Sequence, residues 1–174
     1  MTVHVRDARP GDAPAIAEVH VASWRGAYHG LIPQEILDGL DVPARTQRWT
    51  RIIDRTDSAR GAVLVAEDDG RIIGFANVGQ TRDSDAEAGR TGELTAIYLE
   101  PSSWGRGAGR SLMEAAVSRL AALGYADATL WVLDANERAR RFYEAARWFP
   151  DGTVKTEHAD GYSLSEARYR RSLS

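Results

Sequence analysis

Two rhythms of apolar residues alternate along this chain, one with the period of a helix and one with the period of a strand. Residues 3–7 form a short strand candidate, followed by an Arg9-Pro10-Gly11-Asp12 turn with Asp12 placed to cap a helix. Pro14 falls in that helix's first turn, where a missing N–H costs nothing. Ile16, Val19, His20, Ser23, Trp24 and Ala27 then share one helical face. Shorter helices are predicted over residues 33–40 and 43–54. Strands over 62–67 and 71–79 flank Asp68-Asp69-Gly70, which has hairpin chemistry. Residues 81–91 are polar and acidic and read as a mobile loop, solvated by Asp83, Asp85 and Glu87. A strand over 94–99 leads through a glycine-rich loop into a helix with Leu112, Ala116, Leu120 and Leu123 along one face. Residues 127–133 are strongly apolar, as in a strand covered on both faces. Asn136 then caps a helix whose stripe is Ala139, Phe142, Tyr143 and Ala146. Residues 148–152 read as a strand start running into a turn, and 162–170 as a last strand. This order predicts an α/β (α+β) sheet of mixed direction within one domain spanning 1–174.

Composition narrows the chemistry. The 174 residues are 43% hydrophobic and 27% charged, ordinary for a globular protein. There is no cysteine, which excludes disulfides, thiolate metal sites and a cysteine nucleophile. None of the four histidines stands in an HxxH or HExxH spacing, so no metal is expected. A net charge of −3 offers no electrostatic case for nucleic acid. No apolar run is long enough to span a bilayer, and the first residues lack a signal peptide's apolar core. The expectation is a cytoplasmic protein with no membrane partner; the aromatic content permits a homodimer without locating an interface.

The stretch from Glu93 to Leu123 carries the clearest chemistry. A strand feeds Gly105-Arg106-Gly107-Ala108-Gly109, and a helix begins there, with Arg106 and Arg110 alongside. The first turn of a helix has four N–H groups without intrahelical partners and a dipole that favours negative charge. Glycines let the main chain approach a phosphate and adopt positive φ without strain. The stretch therefore predicts a cradle for a pyrophosphate. A Walker loop would end in Gly-Lys-Ser/Thr, whereas this one ends Gly109-Arg110-Ser111. A GxGxxG dinucleotide loop would need glycine where Arg110 stands.

Trp104 to Gly109, after a strand ending Tyr98-Leu99-Glu100-Pro101, resembles the acyl-CoA loop Gln/Arg-x-x-Gly-x-Gly/Ala of the GNAT superfamily of N-acyltransferases. Gly107 and Gly109 match its two small positions, and Trp104 stands where Gln or Arg is usual. Asn136 to Tyr143 is similar to the family's N-x-x-A-x-x-x-Y segment, although the usual Gly-Phe close is here Arg147-Trp148. The resemblance implies a mixed, mostly antiparallel central sheet of about six to seven strands flanked by helices. It also implies acetyl-CoA as cosubstrate, held by Ile97, Tyr98, Leu99, Trp104, Gly105, Arg106, Gly107, Ala108, Gly109, Arg110, Asn136, Arg138, Ala139 and Phe142.

Acyl transfer from a thioester to an amine needs a proton acceptor, donors for the carbonyl oxygen and an acid for the departing thiolate. The resemblance assigns the acid to Tyr143, the donors to main-chain N–H groups of Ile97 to Leu99, and the base to Glu93. His29, Tyr28 and Glu100 stay open as other bases, and Tyr28 and His29 as acceptor-site lining near a helix end. The expected reaction is direct acetyl transfer to a primary amine, more readily of a small molecule than of a protein N-terminus. The rival is a non-catalytic acyl-CoA-binding sensor or scaffold.

Overall fold

The computed structural model, which describes residues 2–159 and 161–174, builds one seven-stranded sheet with helices against both faces. The strands are β1 (Val3–Asp7), β2 (Ala62–Asp68), β3 (Arg71–Gln80), β4 (Thr91–Leu99), β5 (Asp127–Leu133), β6 (Phe149–Ala159) and β7 (Tyr162–Ser172). The helices are α1 (Ala13–Ala27), α2 (Gln34–Asp38), α3 (Val42–Arg55), α4 (Ala108–Ala122) and α5 (Glu137–Ala145). Strand order is β1-β2-β3-β4-β5-β7-β6, antiparallel throughout except between β4 and β5.

The period-two pattern sorts the core into two layers. Val63 and Val65 of β2 and Phe75 of β3 pack under α1 and α3, against Ile16, Ala17 and Trp49. Leu64 and Ala66 face the other way, onto Leu112, Ala116 and Leu120 of α4. Two helix starts follow sequence chemistry directly. Asp41 accepts the Ala44 amide at 2.8 Å, and Asn136 accepts that of Ala139 at 3.1 Å. Asp12 differs from expectation: it turns back to the Arg9 amide (2.7 Å) and to the Arg6 guanidinium (2.7 Å) instead of capping α1, because a charge-assisted bond to Arg6 holds its carboxylate on that side.

One irregularity positions the site. β4 and β5 pair only where Thr91–Glu93 meets Asp127–Thr129, and no later pair joins them among the described residues. Against β3, Asn77 pairs with Ala96 and Val78 with Leu94, which leaves Thr95 as an extra residue on β4. A bulge bends its strand and increases its twist. Here it comes two residues after the last β4–β5 pair, and the hydroxyl of Thr95 bonds the Asn77 carbonyl at 3.1 Å. The sheet opens from that point.

Two loop expectations change. The segment between β3 and β4 is fastened to the sheet rather than simply solvated: Arg168 donates to Asp85 (2.7 and 2.8 Å) and to Asp83 (3.3 Å). The turn expected at Asp151-Gly152 is a bulge inside β6, between Pro150 paired with Tyr169 and Val154 paired with Ala167. Gly152 takes φ 89° there, and Arg168 again accounts for Asp151 at 2.7 Å.

Candidate active site

A cleft of 540 Å³ occupies the parting of β4 and β5 and reaches from the start of α4 to the end of α1. At one end lies the glycine loop. Gly105 (φ 71°) and Gly107 (φ 90°) both adopt left-handed backbone, where a Cβ would be strained. The first bond within α4 runs from the Ser111 N–H to the Gly107 carbonyl at 3.2 Å, so the amides of Ala108, Gly109 and Arg110 precede it without helical partners. At Gly109 a Cβ would meet the Phe142 ring at 3.3 Å and Leu99 at 3.4 Å, so glycine lets α5 close over the loop. Trp104 donates its indole N–H to the Leu99 carbonyl (3.0 Å), and the guanidinium of Arg138 lies 3.4 Å from its ring centroid. That stacking ties α5 to the loop.

Arg138 has no carboxylate partner among the described residues, and burial lowers its pKa from the ordinary guanidinium value. A cation left unpaired beside free amides, where glycines expose the main chain, suits a diphosphate. The cradle's residues therefore fit the phosphate part of coenzyme A. Gly105, Gly107, Gly109, Trp104, Arg110, Asn136, Arg138, Ala139 and Phe142 all line the cleft. Arg106 and Ala108 do not: Arg106 is exposed, and Ala108 is buried beneath the first turn. Arg110 also pairs with Glu114 at 2.8 Å.

Along the middle of the cleft run Ile97, Tyr98 and Leu99. β3 takes one edge of this stretch, through Ala76, Phe75 and Gly74, and the departure of β5 leaves the other edge open. Tyr143 projects from α5 into the same space. Its hydroxyl makes no hydrogen bond among the described residues, and burial, then Tyr98, push its pKa well above that of an ordinary phenol. It is therefore a protonated donor at neutral pH.

At the far end Tyr28 and Tyr98 line the cleft together, and burial raises both phenols. His29 lies outside: it is exposed and bonds Gln34 at 3.2 Å. Glu93, expected as a reachable carboxylate, is 1% exposed and absent from the lining. Its two oxygens accept the Arg82 amide (2.9 Å), Nε (3.2 Å) and Nη2 (2.7 Å). Glu100 is likewise occupied, by Ser102, Ser103 and Arg71.

Sequence reading passed over Trp131 and Ser23, which also line the cleft. Trp131 donates to Asp83 at 3.0 Å, and Lys155 stands 4.4 Å from its ring centroid. The available signal was a large aromatic among smaller apolar residues in residues 127–133.

Comparison with known proteins gives one answer. The Acetyltransferase (GNAT) family profile matches residues 24–147. The chain is 34% identical over 143 residues to the uncharacterized N-acetyltransferase YuaI of Bacillus subtilis (strain 168), covering 82% of this chain and 78% of that protein. The crystal structure of PaiA N-acetyltransferase from Thermoplasma acidophilum in complex with coenzyme A shares the fold, with a TM-score of 0.74 at 22% identity over 99% of each chain. So does yncA from Salmonella typhimurium with acetyl-CoA, with a TM-score of 0.74 at 21% identity over 100% of this chain and 95% of that one.

Proposed function

The chain belongs to the GNAT acetyltransferase family, and from that premise we propose that this acyl-CoA-dependent N-acetyltransferase acts on a primary amine of a small molecule. The transfer is direct, within a ternary complex. The observation that carries this reading is the open edge of β4, which leads from the unpaired amides of α4 to the free hydroxyl of Tyr143. Acetyl-CoA, when bound, supplies an activated acetyl group as a thioester. The chain's own residues then meet three demands.

The amides at the start of α4 and the guanidinium of Arg138 hold the diphosphate. Main-chain N–H groups along Ile97–Leu99 are aimed at the carbonyl oxygen as negative charge develops there. The amine nitrogen bonds to the carbonyl carbon, the carbon–sulfur bond breaks, and the sulfur takes a proton from Tyr143. The nitrogen's surplus proton passes to Glu93 through water, and exchange with solvent restores both groups. Glu93 is assigned this relay because it is the last β4 residue paired with β5 before the strands part. Its ion pair with Arg82 argues against direct contact with the amine. Direct transfer is supported by the lack of any cysteine to carry the acetyl group.

Thiol release from acetyl-CoA across an amine panel tests the reading, with Tyr143→Phe and Glu93→Gln beside the wild type. Tyr143→Phe should lower kcat by roughly 10²-fold with acetyl-CoA affinity unchanged. Glu93→Gln should lower kcat at neutral pH and regain it at alkaline pH, where the amine arrives neutral. Unchanged turnover in the phenylalanine variant would remove the acid assignment; an unaltered pH profile in the glutamine variant would reduce Glu93 to an anchor for Arg82.

A further inference from the structure

The acceptor end of the cleft is walled by aromatic rings. Ile97 and Leu99 of β4, with Leu130 and Val132 of β5, belong to the α4 layer. Tyr98 belongs to the layer under α1 and α3. Alternation along β5 turns Trp131 to that second face, the face of Leu133, which packs with Trp24 and Tyr28. An acyl donor held by α4 fills the first side of the parting. The acceptor therefore meets Tyr28, Tyr98 and Trp131, all of which line the cleft. Among the described residues, the charged members of the lining are Arg110 and Arg138, and both stand at the glycine-loop end.

Trp131 is held in place by the protein itself. Its indole N–H donates to Asp83 at 3.0 Å. Lys155 Nζ lies 4.4 Å from its ring centroid, and the Arg168 guanidinium 5.7 Å. Both cations are already paired, Lys155 with Glu166 at 3.2 Å and Arg168 with Asp83, Asp85 and Asp151. A carboxylate on the acceptor would therefore be desolvated at this end without a free cation in the lining to meet it. A second ammonium group would find no carboxylate in the lining, and an indole that already faces two cations. Burial keeps the phenols of Tyr28 and Tyr98 protonated at neutral pH, so they add no charge. These walls favour a flat apolar group, which gains ring-to-ring contact as well as burial.

We infer that the acceptor is a primary amine bearing an aromatic group, with that ring against Trp131 and the amine turned towards the open edge of β4. Amino acids and polyamines are then poor acceptors, and Trp131 is the residue that selects against plain alkylamines. This inference rests on the acetyl-transfer reading above and specifies its substrate class.

The test uses the full chain and follows thiol release from acetyl-CoA with four acceptors: phenylethylamine, butylamine, phenylalanine and spermidine. Wild type is compared with Trp131→Leu and Trp131→Phe. The wild type should favour phenylethylamine over each of the others by about tenfold or more in kcat/KM. Trp131→Leu should raise the phenylethylamine KM by about tenfold and bring its advantage over butylamine close to nothing. Trp131→Phe should keep most of that advantage. Both variants lose the bond to Asp83, so a loss confined to leucine belongs to the ring and not to the loop it anchors. Equal use of phenylethylamine and butylamine by the wild type, a preference for phenylalanine or spermidine, or a leucine variant that still discriminates would overturn this inference. Each of those results leaves acetyl transfer standing. Thiol release with none of the four, but with other members of the wider amine panel, would likewise overturn this inference alone. Release with no amine at all would overturn acetyl transfer to small amines and this inference together.

Discussion

At the scale of single residues, packing rather than residue type decides chemistry. Trp49 donates its indole N–H to His20 Nδ1 at 3.0 Å, which leaves the imidazole proton on Nε2, buried without a partner among the described residues. His20 stacks on Tyr98 with centroids 5.4 Å apart, and burial, then Arg45 and Arg48, push it down to about 4. The unfolded chain therefore takes up this proton first as the pH falls below the ordinary value of 6.5. Stability that is full above that value should decline as the pH drops towards 4, by about 3 kcal/mol for this residue. Denaturant midpoints at pH 7 and pH 5 check this: His20→Gln should show a shallower decline than wild type, and an identical decline would sink the assignment. From the sequence, His20 was one residue on a helical face. Its charge state depends on α3, which reaches it from 29 residues away. Tyr143 has the same history, since the apolar stripe of α5 identifies the residue but cannot say that its hydroxyl is left free.

At the scale of elements, the start of α4 was legible because it is local. A left-handed residue ahead of a helix needs glycine, and the amides it uncovers follow from helix geometry alone. At Gly107 a Cβ would meet nothing within 4 Å, so Gly107→Ala adds strain without a clash. It should destabilise the fold by about 1 kcal/mol. The strained first turn should also weaken coenzyme A binding, read by calorimetric titration, with the amine KM unaltered. A variant that melts lower yet binds coenzyme A as before would show that the cradle does not depend on this conformation. The bulge at Thr95 was not legible. Residues 94–99 are apolar except for Thr95 and carry no period that would mark an extra residue, so only the comparison of two registers, Asn77 with Ala96 and Val78 with Leu94, reveals it.

At the scale of the molecule, Arg168 joins parts that are distant in sequence. It is 5% exposed and binds Asp83, Asp85 and Asp151, with Thr153 at 3.0 Å. The β3–β4 loop, the bulge in β6 and β7 thus meet on one side chain, beside Trp131 at 5.7 Å. Without Arg168, the part-buried Asp83 and Asp151 lose their chief cation, while Asp85 stays largely in water and Asp151 keeps Arg170 at 3.6 Å. Arg168→Ala should therefore destabilise the protein by about 2 kcal/mol, less than a fully buried pair because Asp85 is hydrated and Asp151 keeps Arg170. Limited proteolysis should also cut the β3–β4 loop faster than in wild type; unchanged melting and unchanged cleavage would refute the latch.

The sequence alone determined what depends on near neighbours: the helices and strands, the capped start of α5, the glycine cradle, and the family those motifs point to. Each follows from residues a few positions apart, whose spacing maps directly onto backbone hydrogen bonds and faces. Tertiary structure decided what depends on distant partners: that Glu93 is shut into an ion pair with Arg82, that an acidic loop is fastened by Arg168, and that His29 stays outside the cleft. Burial and pairing set the state of a charged group, and in these cases both come from elements that only the assembled sheet brings together.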